Sequence, residues 1–93
     1  VLYGDVSNAA RVLLAVPATR RAALCRQLLR EAEAADRLAR DSGRLHPRWG
    51  NGSLMAAARR HVMAPEPTFD DSEYRACFGM VLRILSDRGS TRP

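Results

Sequence analysis

The sequence predicts an all-α fold: a single domain of four helices, with one long central helix and a loop containing tryptophan and glycine before a short third helix. Three observations predict it. Apolar residues recur at intervals of three and four, the period of a helix, and no stretch shows strand-like alternation. Proline and glycine stand between the periodic stretches, at Pro17, Gly43, Pro65 and Gly89. Finally, a chain of 93 residues with 46% apolar and 27% charged side chains has the size and balance of one globular domain around one core. Aromatics are only 5%, which leaves Ala, Leu and Val to fill that core and favours close helix packing.

The first element begins near Asp5 or Ser7, either of which is a good cap. It runs through Ala9, Ala10, Leu13, Leu14 and Val16 to stop at Pro17. Pro17 then precedes a much longer pattern from Ala18 to Ser42, closed by Gly43 in the position just past a helix end that glycine favours. On this second element Leu24, Cys25, Leu28, Ala32, Ala35 and Ala39 share one face, and Arg26, Arg30, Glu33, Arg37 and Arg40 the opposite one. A third, alanine-rich element starts at Ser53 and ends in the Arg59-Arg60-His61 turn before Pro65. The Pro65-Glu66-Pro67 triplet enforces an extended crossover, because each proline fixes its own φ and biases its predecessor away from helix. For the fourth element, Asp70 and Glu73 have capping-box spacing and Phe69 and Tyr74 that of a hydrophobic staple. Its apolar stripe of Tyr74, Cys77, Phe78, Val81, Leu82, Ile84 and Leu85 runs to Gly89. The domain thus spans 1–93, with 89–93 as a polar tail.

The most distinctive local feature is His46-Pro47-Arg48-Trp49-Gly50-Asn51-Gly52-Ser53. It sets the one tryptophan in a break between helices and follows it with Gly-Asn-Gly. Two glycines and an asparagine accept positive φ, and Ser53 caps the next helix, so the segment reads as a shaped loop whose N–H groups are placed to meet an anion at Gly50–Gly52. Flanked by His46 and Arg48, Trp49 has the composition of a docking anchor; the alternative is that it folds back and closes one end of the core.

All 15 basic residues are arginine, and the net charge is +5. Glu33 before Arg37 and Asp36 before Arg40 have the orientation of surface i,i+4 pairs, which marks that face as solvated. Arg20 and Arg21 differ, because they stand in the first turn of a helix where the macrodipole disfavours cations. A basic contact face would comprise Arg20, Arg21, Arg26 and Arg30.

Several function classes are disfavoured. Gly50-Asn51-Gly52 lacks the spacing and the lysine of a phosphate-binding loop, and no strand precedes it. The Gly43–Gly52 break is too long for a helix-turn-helix. Cys25, His46, His61 and Cys77 are not spaced as zinc ligands, so no metal and no cofactor is expected. No nucleophile has an evident base and orienting acid, which argues against catalysis. Both cysteines lie within helical patterns and read as reduced, buried thiols of a cytoplasmic protein. No apolar run approaches the roughly 20 residues of a membrane span, and the N-terminal residues lack the pattern of a signal peptide.

The blocks Leu2-Tyr3-Gly4-Asp5-Val6-Ser7 and Leu45-His46-Pro47-Arg48-Trp49-Gly50-Asn51-Gly52-Ser53-Leu54-Met55 resemble small uncharacterised helical proteins of alphaproteobacteria. That group carries no known activity, ligand or catalytic residue. The arginine- and alanine-rich composition agrees with such a GC-rich bacterial source. The residues themselves point to a non-catalytic module that binds a protein partner through the Trp49 loop and adjacent arginines. The alternative is non-specific nucleic-acid binding through the arginine-rich helix face.

Overall fold

Helix boundaries follow the punctuation of the chain. The computed structural model describes residues 1–90 and contains four α-helices: α1 (Tyr3–Leu14), α2 (Ala18–Ser42), α3 (Leu54–Ala58) and α4 (Ser72–Ser90). Among the described residues there is no strand. Pro17 precedes α2 and Gly43 ends it in the left-handed conformation with φ +69°, as the sequence predicts. Ser53 caps α3, its Oγ accepting from the Ala56 N–H at 3.1 Å.

Four boundaries differ from expectation, each for a physical reason. α1 ends at Leu14, short of Val16, because Val16 precedes Pro17 and is biased away from the helical region. α1 starts at Tyr3, ahead of both expected caps, because Asp5 sits inside the first turn and its carboxylate reaches back to the Leu2 N–H at 2.8 Å. Ser7 is not a cap at all. It is buried, with its hydroxyl between the Tyr74 hydroxyl and the Glu66 carboxylate, each at 2.9 Å. At α4 the cap is Asp71, not Asp70: Asp71 Oδ1 accepts from the Tyr74 N–H at 2.9 Å. Glu73 does not close a box with Asp70; it faces Arg21 at 3.6 Å. Phe69 does stack on Tyr74, with ring centroids 5.3 Å apart. Asp71→Ala should therefore cost about 1 kcal/mol in a denaturant melt, while Asp70→Ala stays within about 0.5 kcal/mol. At its far end α4 continues through Gly89 to Ser90, where a tail was expected. An ion pair between Arg88 and Glu33 holds the last turn against α2. The remainder of the expected tail, 91–93, lies outside the described residues.

α1 and α2 form an antiparallel hairpin around Pro17, and α4 runs in the same direction as α2. Arg21 meets Glu73 near the starts of α2 and α4, and Glu33 meets Arg88 toward their ends. Although α2 is longest and both α1 and α2 pack on all the other helices, the most enclosed helix is α1, where 7 of 12 residues are buried. Ala9, Ala10 and Leu13 are wholly buried there, joined by Leu28 and Cys25 from α2 and by Tyr74, Cys77 and Val81 from α4. The alanines let backbones approach closely, which is how a chain poor in aromatics fills a core. The expected apolar face of α2 is the buried one, with Leu24 and Ala39 at its edges.

The extended crossover lies along α1 in the reverse direction. The Ala64 N–H donates to the Arg11 carbonyl at 3.0 Å, Arg11 Nε donates to the Ala64 carbonyl at 2.9 Å, and Glu66 reaches Ser7. This strap sets the position of His61 and Val62 beside the α1–α2 turn.

Candidate functional site

The loop is a braced turn. His46 and Gly50 exchange backbone hydrogen bonds at 3.0 and 3.1 Å. Between them, His46 Nδ1 accepts from the N–H groups of Arg48 at 3.0 Å and Trp49 at 3.1 Å, which requires the ring to present its lone pair inward. The same imidazole stacks on the Trp49 indole, with centroids 4.3 Å apart and planes 13° from parallel. From the turn after α3, Arg60 donates to the carbonyls of Arg48 and Pro47. Gly52, at φ +88°, lies directly on α2: a Cβ there would stand 2.6 Å from the Asp36 Cα.

These bonds occupy the Gly50 amide and those flanking the Gly50–Gly52 segment that is expected to meet an anion. Arg48, Trp49 and Gly50 donate to His46, and the Ser53 N–H donates to Asn51 Oδ1 at 3.0 Å. At the start of α3 a carboxylate is already supplied from within, because Asp5 Oδ1 accepts from the Met55 N–H at 2.9 Å. Gly50 and Gly52, both at positive φ, fix the shape of the loop, and the cationic side chains beside it carry the exposed charge.

Trp49 is neither a free knob nor a lid on the core. It is half-buried, lies outside the core cluster, and forms one wall of a cleft of about 420 Å³ whose other walls are Gln27, Glu31, Arg48, Arg60 and His61. Glu31 lies at the base, 8% exposed. Its two oxygens are engaged by Gln27 Nε2 at 3.0 Å and His61 Nε2 at 2.8 Å. Arg48 is exposed and its guanidinium has no partner among the described residues. The cleft therefore offers an indole face, an uncommitted guanidinium and a second one partly spent on carbonyls, above a carboxylate that is already satisfied.

A family model described as a domain of unknown function matches residues 1–85. The chain belongs to the DUF7742 family. No curated protein and no solved structure matches it. The expectation of an uncharacterised family is met, and the DUF7742 designation itself carries no activity.

The proposed basic face does not assemble in this DUF7742 domain. Arg21 turns inward, where its Nε donates to the Leu13 carbonyl at 2.9 Å and the Val16 carbonyl at 3.3 Å, closing the C-terminus of α1. That explains a cation in the first turn of α2: it serves another helix's end, where positive charge is favoured. Arg20 stays exposed beside His61 and Val62, while Arg26 lies on the flank near Ile84 and Asp87. Arg30 is exposed. Asp36 pairs with Arg40 as the spacing predicts, whereas Glu33 crosses to Arg88.

Sequence reasoning missed Glu31 and an aromatic face. Position 31 falls three residues after Leu28 and four before Ala35 on the buried stripe, so an acid there was a readable sign of a buried polar contact. The aromatic face joins Tyr3, Phe69 and Phe78, with centroids 5.4 to 6.3 Å apart. These residues come from three separate segments, which no periodic pattern links.

Cys25 and Cys77 are free and buried, each 1% exposed. Burial raises both thiols, Cys25 from 9.0 to about 11, so both should be labelled slowly in the native protein and quickly in denaturant. Because the unfolded thiol ionises near 9.0 while folded Cys25 holds its proton to about 11, the unfolded state binds fewer protons in that window. Stability should fall as pH rises through it. Thermal melts of the wild type and Cys25→Ala, compared at pH 8 and pH 10.5, check this: the wild type should lose more. Among the described residues no group of three or more His, Cys, Asp and Glu comes together as a metal site, and no helix is long and apolar enough to cross a membrane.

Proposed function

We propose that this domain is a non-catalytic protein-interaction module whose binding surface is the Trp49 cleft, and that it recognises an acidic segment of its partner. The observation that carries this reading is the bracing of the indole. Stacked on His46, with its loop tied by Arg60, Trp49 is held half-exposed beside the unpaired Arg48. A rigid aromatic loses little entropy on binding, and an adjacent guanidinium matches a carboxylate; such pairs dominate binding energies at interfaces. The reduced thiols fit a cytoplasmic setting, and the all-arginine, alanine-rich composition fits a bacterial source.

Nucleic-acid binding has less support, since Arg21 is committed to α1 and Arg20 and Arg26 lie on different flanks. A fluorescence titration on the single tryptophan separates the two readings. An end-blocked hexaglutamate peptide should perturb Trp49 emission, and Arg48→Ala should weaken the response about tenfold. A response only to duplex DNA, falling steeply with salt, would replace the proposal. Trp49→Ala should lower stability by no more than about 1 kcal/mol, since the lost contact is one stacked pair outside the core.

A further inference from the structure

On the other side of His61 lies a second cavity, an apolar groove of about 340 Å³. Val12, Ala15 and Val16 at the end of α1, Leu24 of α2, and Val62 of the strap line it, with Arg20 and His61 at its edge. Both cavities fall within the roughly 300–1,000 Å³ range of ligand sites, and His61 is a wall of each.

Two features of the groove lack a stabilising role in the fold. Val62 is 81% exposed although its neighbours in the groove are apolar. Arg20 stands in the first turn of α2, where the macrodipole disfavours it, and unlike that of Arg21 its guanidinium has no partner among the described residues. An apolar cavity edged by an unpaired guanidinium complements an apolar side chain followed by a carboxylate. A nucleic acid has no such side chain.

Resting on the cleft reading above, we infer that the partner is a single extended segment that crosses His61, placing an acidic side chain between Trp49 and Arg48 and an apolar side chain in the groove beside Arg20. The Glu31–His61 contact at 2.8 Å fixes the ridge between the two subsites. Recognition is therefore bipartite: charge selects at the cleft, and apolar burial anchors in the groove.

The test is panning of a random displayed-peptide library on the immobilised folded chain, followed by titration of the enriched peptides. The expected peptides carry Asp or Glu within a few residues of Leu, Ile or Phe. Replacing that apolar residue by Ser should weaken binding at least tenfold. The uncharged surface change Val62→Gln should weaken the parent peptide about tenfold and leave the Ser peptide unaffected, and Arg48→Ala should weaken both. If parent and Ser peptides bind alike, or Val62→Gln changes nothing, the bipartite inference is overturned while the cleft reading stands. If enriched peptides lack acids or ignore Arg48→Ala, both are overturned.

Discussion

Gly52→Ala is expected to destabilise the domain by about 2–4 kcal/mol, combining the strain of a β-carbon at positive φ with a clash against a packed helix. At φ +88° the added methyl would stand 2.6 to 2.8 Å from the backbone N, Cα and Cβ of Asp36, atoms that cannot swing aside as a side-chain tip would. Gly43 is the internal control. It has φ +69° and open space within 4 Å of its hypothetical Cβ, so Gly43→Ala carries strain without the clash and should cost about 1 kcal/mol. The difference between the two variants in denaturant melts measures how firmly the loop is seated on α2. Equal losses would mean that the loop lifts from α2 at little cost, and the bracing of Trp49 would lose its foundation.

Asp5→Ala carries the other large expected effect, about 2–3 kcal/mol. One carboxylate, 8% exposed, accepts from the Leu2 N–H at the start of α1 and from the Met55 N–H at the start of α3. Truncation leaves two helix-terminal donors without an acceptor and removes the negative charge from both positive dipole ends. Asp5→Asn keeps one acceptor oxygen but turns an NH₂ toward the other donor, so it should recover less than half of the loss. Melts of both variants check this, and hydrogen exchange at Met55 should accelerate in Asp5→Ala. Wild-type stability in Asp5→Ala would contradict the dual role.

What the sequence made legible is what local chemistry determines. Pro17, Gly43 and Ser53 set boundaries through the conformations and hydrogen bonds of their own neighbourhoods, and the structure places them where the pattern does. Asp5 was readable as a helix-start residue, but its second partner is 50 positions away. Arg21 looked unexplained for the same reason: the carbonyls it satisfies end a different helix. Asp70 and Asp71 are adjacent and chemically alike, so one residue of register decided the cap. At the candidate site, the glycine-rich loop was legible as a shaped element. The cleft was not, because Gln27 and Glu31 come from α2, Trp49 from the loop and His61 from beyond α3, and only packing brings them together.

Two exposed surfaces compete as the binding face, the Trp49 cleft and the aromatic face of Tyr3, Phe69 and Phe78, where Tyr3 is 58% and Phe69 48% exposed. The aromatic face has neither an uncommitted guanidinium nor a walled cleft in its favour. The decisive measurement is a two-dimensional NMR titration of the labelled protein with an acidic peptide carrying one leucine. If the cleft is the binding face, the Trp49 indole N–H and the amides of Arg48, Arg60, His61 and Val62 shift together and saturate at one affinity, while Tyr3, Phe69 and Phe78 stay fixed. Shifts confined to Tyr3, Phe69 and Phe78, with the Trp49 indole unmoved, would contradict it.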